Sequence, residues 1–425
     1  MIPGGNRVTD LLNRREAVLG NAYRLFYDRP LELARGEGVY LYDRAGEAYL
    51  DAYNNVPAVG HCHPHVVGAI ARQAATLNTH TRYLTEGVID YAERLVATFE
   101  APLDRAMFTC TGSEANDLAL RVARHAAGGM GVIVTACAYH GVTAAVAEAS
   151  PSLGPSVPAG PYIRTVPAPD PALGDDAGPA FAAHVAAAIE DLRGNGIGLA
   201  AFLADSLLSS DGVIADPAGF LRPVQDLVHE SGGLYIADEV QSGFGRTGSH
   251  LWGYQRHGLS PDIVTLGKPM GNGLPVAGLV ARHEVLEDFG RKVRYFNTFG
   301  GNPVCIAAAN AVLDVIETDG LQANAASTGA YLKAGVERLA ADSPVLAAVR
   351  GVGLYLGADV ANPATGAASA GLASRIVNGM RDRRVLISAT GPAGNVLKIR
   401  PPLPFRRDHA DQLLDALAGA LTALA

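Results

Sequence analysis

GGLYIADEVQSGFGRTG (232–248) and PDIVTLGKPMGNG (261–273) are the two stretches whose reading decides the fold. In the first, an apolar run ends abruptly in Asp238 and Glu239. In the second, another apolar run ends in Gly267 and Lys268, and Pro269 stops either a strand or a helix interior from continuing. Runs this apolar suit strands covered on both faces. The carboxyl end of an inner strand is where open α/β sheets meet their ligands, so Asp238 is read as ligand-facing and Glu239 as part of a solvated loop. Lys268 follows Asp238 by 30 residues and leaves its strand toward the same sheet edge. A lone lysine there could be a surface cap. A desolvated amine, however, loses its proton more readily and becomes a nucleophile suited to covalent aldehyde chemistry.

Outward from these stretches the chain alternates in the βα manner. Further strand candidates are AMFTCTG (106–112), GVIVTACAY (131–139), LAAFLADSL (199–207) and PVAGLVA (275–281), with helical segments at 64–77, 113–127, 181–193 and 217–231. Residues 31–53 hold two short strand-like runs, GVYLYD and AYLDAYNN. The Pro-, Gly- and Ala-rich stretch 150–180 reads as a long surface connection. After about residue 310, helices at 302–317 and 321–342 precede the short strands VLAAVRGVGLYLGADV, RVLIS and NVLKIRPP and a last helix from 408. The expectation is an α/β protein. A large domain (54–309) carries a mixed, mostly parallel sheet; a smaller α/β domain (310–425) is joined by the N-terminal segment (1–53).

Composition excludes several classes. Of 425 residues, 48% are hydrophobic, enough for more than one core. The net charge of −8 argues against a nucleic-acid surface. No stretch reaches the roughly 18 uninterrupted apolar residues of a membrane span, and the opening residues resemble an exposed helix rather than a secretory signal. A cytoplasmic location is expected. Cys62, Cys110, Cys137 and Cys305 lack CxxC spacing and read as buried free thiols.

Three other motifs gather around the strand ends. Gly243, Gly245 and Gly248 have G-x-G-x-x-G spacing, but the acid precedes them, against the order of a dinucleotide site. In TCTGSEANDLALRVAR (109–124) a strand gives way to a helix whose start is marked by Ser113; its first amides and small residues suit a phosphate, or are a plain cap. In AYHG (138–141), Tyr139 and His140 end a strand and offer an aromatic face to a flat ring.

TGSEAN, YHG, Asp238, Lys268 and TFGGNP (298–303), in this order and at these separations, resemble the class III aminotransferases, which are fold type I pyridoxal-phosphate enzymes. The likeness runs from LYDRAGEAYLD (41–51) to NVLKIRPPL (395–403). It implies pyridoxal 5'-phosphate as cofactor, with Lys268 as the Schiff-base lysine and general base and Asp238 facing the pyridine nitrogen. It also implies Val240 and Tyr139 on the two ring faces, with His140 beside them, Gln241 at the phenolic oxygen, and Gly112 and Ser113 at the phosphate. Thr298 would come from the other subunit of a homodimer. Many members carry Glu-Pro where this chain has Asp205-Ser206. The histidines of HCHPH (61–65) resemble the family's structural turn, so no metal is expected.

YNNVPAVGHCHPHVV (53–67), TLGKPMGNGLPVAG, YFNTFGGNPV and NVLKIRPPLPF, with the missing Pro after Asp205, most resemble the ethanolamine-phosphate phospho-lyase branch. That resemblance implies β-elimination of O-phosphoethanolamine to acetaldehyde, ammonia and phosphate. An ω-amino-acid or amine transaminase is the alternative, and a non-catalytic cofactor-sensing protein a distant third. A lyase needs a cationic seat apart from the cofactor phosphate. Arg82 and Arg400 are the candidates, because guanidinium pairs with phosphate oxygens, with Asn55 or Asn54 as neutral donors. Lys398 is read as a surface or interdomain ion pair.

Overall fold

The computed structural model describes residues 4–424. Strands β1 (Leu33–Glu37), β2 (Tyr40–Asp43) and β3 (Ala48–Asp51) form an antiparallel meander. The central sheet holds β4 (Leu103–Thr109), β5 (Gly131–Thr135), β6 (Ile163–Val166), β7 (Leu199–Asp205), β8 (Leu234–Asp238), β9 (Ile263–Leu266) and β10 (Ala277–Arg282). Later come β11 (Leu346–Val352), β12 (Tyr355–Val360), β13 (Val385–Leu386), β14 (Ser388–Thr390) and β15 (Val396–Ile399).

The central order is β4-β10-β9-β8-β7-β5-β6. β6, β5, β7, β8 and β9 run parallel, and β10 is antiparallel to both β9 and β4. The middle strands are buried along their length, as their unbroken apolar runs require. Four parallel strands thereby bring Thr135, Asp205, Asp238 and the segment after Leu266 to one sheet edge. Two smaller sheets lie beyond: β1-β2-β3-β13, closed by parallel pairing of β13 on β3, and β11-β12-β15-β14.

Three expectations need correction. The stretch 150–180 is no simple connection, since β6 adds a parallel edge strand inside it. Its four residues, IRTV, are too short and too polar for an alternation signal. The helix foreseen at 217–231 starts only at Arg222, before Pro223 at its first turn. All four cysteines are free, but only Cys305 is buried and Cys62 is exposed.

The glycine triplet is a packing device. A Cβ on Gly248, whose φ is +75°, would lie 2.5 Å from the backbone of Ala326 in helix Leu321–Ala341. A Cβ on Gly353 would lie 2.3 Å from the carbonyl of Arg246. These glycines let the loop after β8 dock against the β11–β12 turn and that helix. Gly248→Ala is expected to cost at least about 2 kcal/mol, from φ strain plus a backbone clash. An unchanged thermal midpoint would refute this packing role.

The histidine turn also has structural partners. His61 pairs with Asp51 at 2.7 Å, and His65 with Asp314 at 2.7 Å, tying helix Pro64–Ala74 to helix Pro303–Thr318. Among the described residues no helix is long and apolar enough to cross a membrane.

Candidate active site

Lys268 stands two residues beyond β9, at the head of a short turn, with φ at +20°. A non-glycine residue held there stores backbone strain, of the kind that gathers at functional positions. Its amine is almost fully enclosed. Burial, with help from Arg400 and against Asp238 and Asp205, pulls its pKa from 10.5 down to about 8. Asp238 is the last residue of β8, and both side chains line one cavity of about 190 Å³.

Asp238 is held by three donors. His140 Nδ1 lies 2.7 Å from Oδ2, Asn116 Nδ2 donates to Oδ2 at 2.9 Å, and the Val240 amide donates to Oδ1 at 3.1 Å. Burial pushes this carboxyl up, but the hydrogen bond and charge of His140 outweigh it, so the net shift is downward. Asn116 is itself fixed: Thr265 Oγ1 donates to its Oδ1 at 2.7 Å and its Nδ2 also reaches the His140 carbonyl. Asn116 and Thr265 were not singled out from sequence. TGSEAN and DIVTLG contain them, but no spacing tells that two polar groups 149 residues apart meet in one network.

Tyr139 and His140 do not end a strand. β5 stops at Thr135, and both residues sit on the loop after it, facing the cavity. His140 is buried and its Nε2 has no partner. Val240 approaches Gly112 so closely that a Cβ there would be 2.9 Å from Val240 Cγ1. Tyr139 and Val240 line the same cavity.

Helix Gly112–Ala127 is capped by Thr111, not Ser113. Thr111 accepts from the Glu114 amide at 3.1 Å, while Glu114 accepts from the Cys110 and Thr111 amides. Thr-x-x-Glu is a capping box, legible at 111–114. With Thr111 so engaged, Gly112 and Ser113 sit in the first turn, whose amides precede the first intrahelical bond and favour an anion. Lys268, Asp238, Tyr139 and Val240 line the same cavity as the helix start at Gly112 and Ser113, a set of groups whose chemistry fits a flat pyridine bearing a phosphate.

The departure at Asp205-Ser206 builds a turn. Asp205 accepts from the Leu207 and Ser209 amides, each at 3.0 Å, and from the Ser209 hydroxyl. Ser206 donates to Glu239 at 2.5 Å. Glu239 is therefore not solvated. It is fully buried, taking donors also from Ser242, Gly253 and Tyr254. The sequence gives no hint of this, because its partners lie in the turn after β7 and in a segment beyond residue 250.

A second, larger cavity of about 750 Å³ shares Tyr139, Gln241 and Lys268 with the first. Arg400 projects into it, only 6% exposed. Its Nη1 donates to Asn55 Oδ1 at 2.8 Å and Gln241 Oε1 at 2.6 Å, its plane lies over Tyr53 at 4.7 Å, and Nε has no partner. Gln241 Nε2 donates to Ser209 at 3.0 Å. Asn54 instead caps its own turn through the Val56 amide and lines a different cavity. Lys398 is not the expected ion pair: it is buried in the Arg400 cavity, and no carboxylate lies within 4 Å of its amine among the described residues.

Arg82 is not brought to either cavity. It is exposed, with its guanidinium 3.9 Å over the Phe296 ring in a separate groove. Thr298 is likewise exposed and lines neither cavity. Sequence alone could not place Arg82, because its loop carries no strand or helix signal to fix its direction.

With the geometry described, the chain can be compared with known proteins. The family model "Aminotransferase class-III" matches residues 26–421. A Drosophila melanogaster protein named alanine--glyoxylate aminotransferase 2-like is 41% identical, covering 98% of this chain and 87% of its own. Ethanolamine-phosphate phospho-lyase homolog 1 of Caenorhabditis elegans is 36% identical, covering 97% of this chain and 93% of its own. A solved phospholyase from Arthrobacter in complex with phosphoethanolamine superposes with a TM-score of 0.95 at 45% identity, over 98% of this chain and 100% of that one.

Proposed function

This chain belongs to the class III aminotransferase family, and on that premise we propose that it is a phospho-lyase that releases phosphate from O-phosphoethanolamine. It is an enzyme, with pyridoxal 5'-phosphate as its cofactor. What carries an anionic substrate is Arg400, which suits a phosphate or a carboxylate: a buried guanidinium in the larger cavity whose side-chain partners are neutral acceptors. A buried cation without a counter-charge is costly, so its retention favours an anionic ligand. The Arthrobacter protein's complex with phosphoethanolamine supports the same assignment.

In this reading each residue acts through its own chemistry. The bound cofactor supplies a ring that spreads the negative charge developing at the amine-bearing carbon. Lys268 would hold the cofactor covalently until the substrate amine takes its place, and its freed amine would then take the proton from that carbon. Burial pulls its amine down to about 8, which makes the neutral, proton-accepting form more available than in an ordinary lysine. Asp238 stays charged and holds a proton at the ring nitrogen. Gly112 and Ser113 hold the cofactor phosphate, and Tyr139, His140 and Val240 confine the ring. Gln241 keeps one amide hydrogen for the ring oxygen, the other being engaged by Ser209. Arg400 holds the substrate phosphate, while Asn55, which lines neither cavity, steadies the Arg400 guanidinium by accepting from its Nη1. As the carbon loses its proton, the C–H electron pair forms a double bond to the adjacent carbon. The C–O bond to phosphate breaks and inorganic phosphate departs. Water then divides the remainder into acetaldehyde and ammonia.

Thr298 completes the reading as a homodimer, reaching the cofactor phosphate of a second copy, with Arg82 on the same exposed surface. A transaminase is the second reading, favoured by the name of the Drosophila relative. One assay separates them. With O-phosphoethanolamine and no keto acid, stoichiometric phosphate and acetaldehyde are expected. Turnover that requires pyruvate or 2-oxoglutarate would defeat the lyase reading.

A further inference from the structure

Strand β15 reads VLKI and runs on into Arg400. Successive side chains on a strand point to opposite faces. Leu397 and Ile399 therefore share one face and are buried in the main core, at 0% and 1% exposure. Lys398 and Arg400 share the other, and both line the 750 Å³ cavity beside Lys268.

Lys398 is 7% exposed, and among the described residues no carboxylate lies within 4 Å of its amine. Its one described contact of note is with the Tyr355 ring, 5.7 Å away. Burial, reinforced by Arg400 and Lys268 and opposed by Asp205, drives its amine well below the ordinary lysine value. An enclosed lysine in such company is a poor contributor to stability, and a methionine would fill the same volume without the desolvation cost. A buried amine aimed into a cavity beside a buried guanidinium therefore points to a ligand whose negative charge would hold the proton on that amine.

We propose that Lys398 is the second cation of the substrate-phosphate seat, so that Lys398 and Arg400 together select a phosphate monoester dianion over a plain amine. The organic part of that ligand rests on the phospho-lyase reading; the anion seat itself rests on the strand face and the cavity.

The test is calorimetric titration of the holoenzyme with inorganic phosphate, alongside steady-state kinetics on O-phosphoethanolamine. Lys398→Met is expected to weaken phosphate binding between about tenfold and a hundredfold, the loss of one charge-assisted hydrogen bond. KM should rise by a similar factor while kcat changes by less than about threefold. Lys398→Arg is expected to keep phosphate affinity within about threefold of the unaltered enzyme. The methionine variant should retain its cofactor absorbance and melt no lower than the unaltered protein, because a purely structural lysine would leave a less stable protein behind. Unchanged phosphate affinity in Lys398→Met overturns the proposal, and so does a lowered melting point in both variants with affinity lost equally in both. If the unaltered enzyme shows no lyase turnover yet binds phosphate in a Lys398-dependent way, the functional reading falls and the seat stands. If it is a lyase and Lys398→Met is kinetically silent, the seat falls alone.

Discussion

Replacing Lys268 with Ala is expected to lower turnover at least about 10⁴-fold, because one residue serves as both covalent anchor and base. The absorbance of cofactor held through a lysine nitrogen should vanish with it, giving a readout that does not depend on the substrate. The environment of Lys268 makes a further demand on pH. Its amine is pulled down to about 8, chiefly by burial, and only the neutral amine is a nucleophile. In the cofactor-free protein, acylation of Lys268 followed by mass spectrometry should fall about tenfold per pH unit below 8 and level off above it. A midpoint near 10.5, the ordinary value, would mean that the side chain is solvated and the cavity misread. Retained absorbance in Lys268→Ala would sink the assignment of the anchor.

Asp238→Asn should reduce kcat about 10²–10³-fold, the range seen when one preorganised electrostatic partner is taken from a buried site. The substitution keeps the shape of the side chain, so the loss would report charge rather than packing. In the folded protein the Asp238 carboxyl is pushed up by burial and brought below its ordinary value by His140. It therefore carries its charge throughout the neutral range. An amide in its place would face the His140 ring and Asn116 without that charge, and the ring nitrogen would lose its proton holder. Thermal melting of the same variant is expected to fall, because the amide NH2 would face groups that now donate to the carboxylate and His140 would lose its buried partner. A variant with kcat within about threefold of the unaltered enzyme would show that Asp238 is not the tuning group.

Residue order alone settled the class of fold and which strand ends carry charge. Apolar runs ending in Asp238 and before Lys268 are legible because a buried parallel strand must be apolar on both faces, so a charge at its end stands out. The helix at TGSEAN is equally legible, since its capping box is local. What stayed hidden depends on contacts between distant segments. Glu239 reads as a loop acid, yet it is enclosed by donors from Ser206, Ser242, Gly253 and Tyr254. Asn116 reads as an ordinary helix residue until Thr265 and Asp238 meet it. Arg82 carries the right chemistry but lies over Phe296, outside both cavities.

Sequence by itself determined the α/β architecture and the strand ends at which an acid and an amine stand, because each follows from local polarity and period. Only tertiary structure decided which cations share the larger cavity. Side-chain alternation can place Lys398 and Arg400 on one strand face, but it cannot say whether that face meets solvent, core or cavity. That depends on β15 pairing with β12 and β14, and on Arg400 reaching Asn55 and Gln241 from distant parts of the chain.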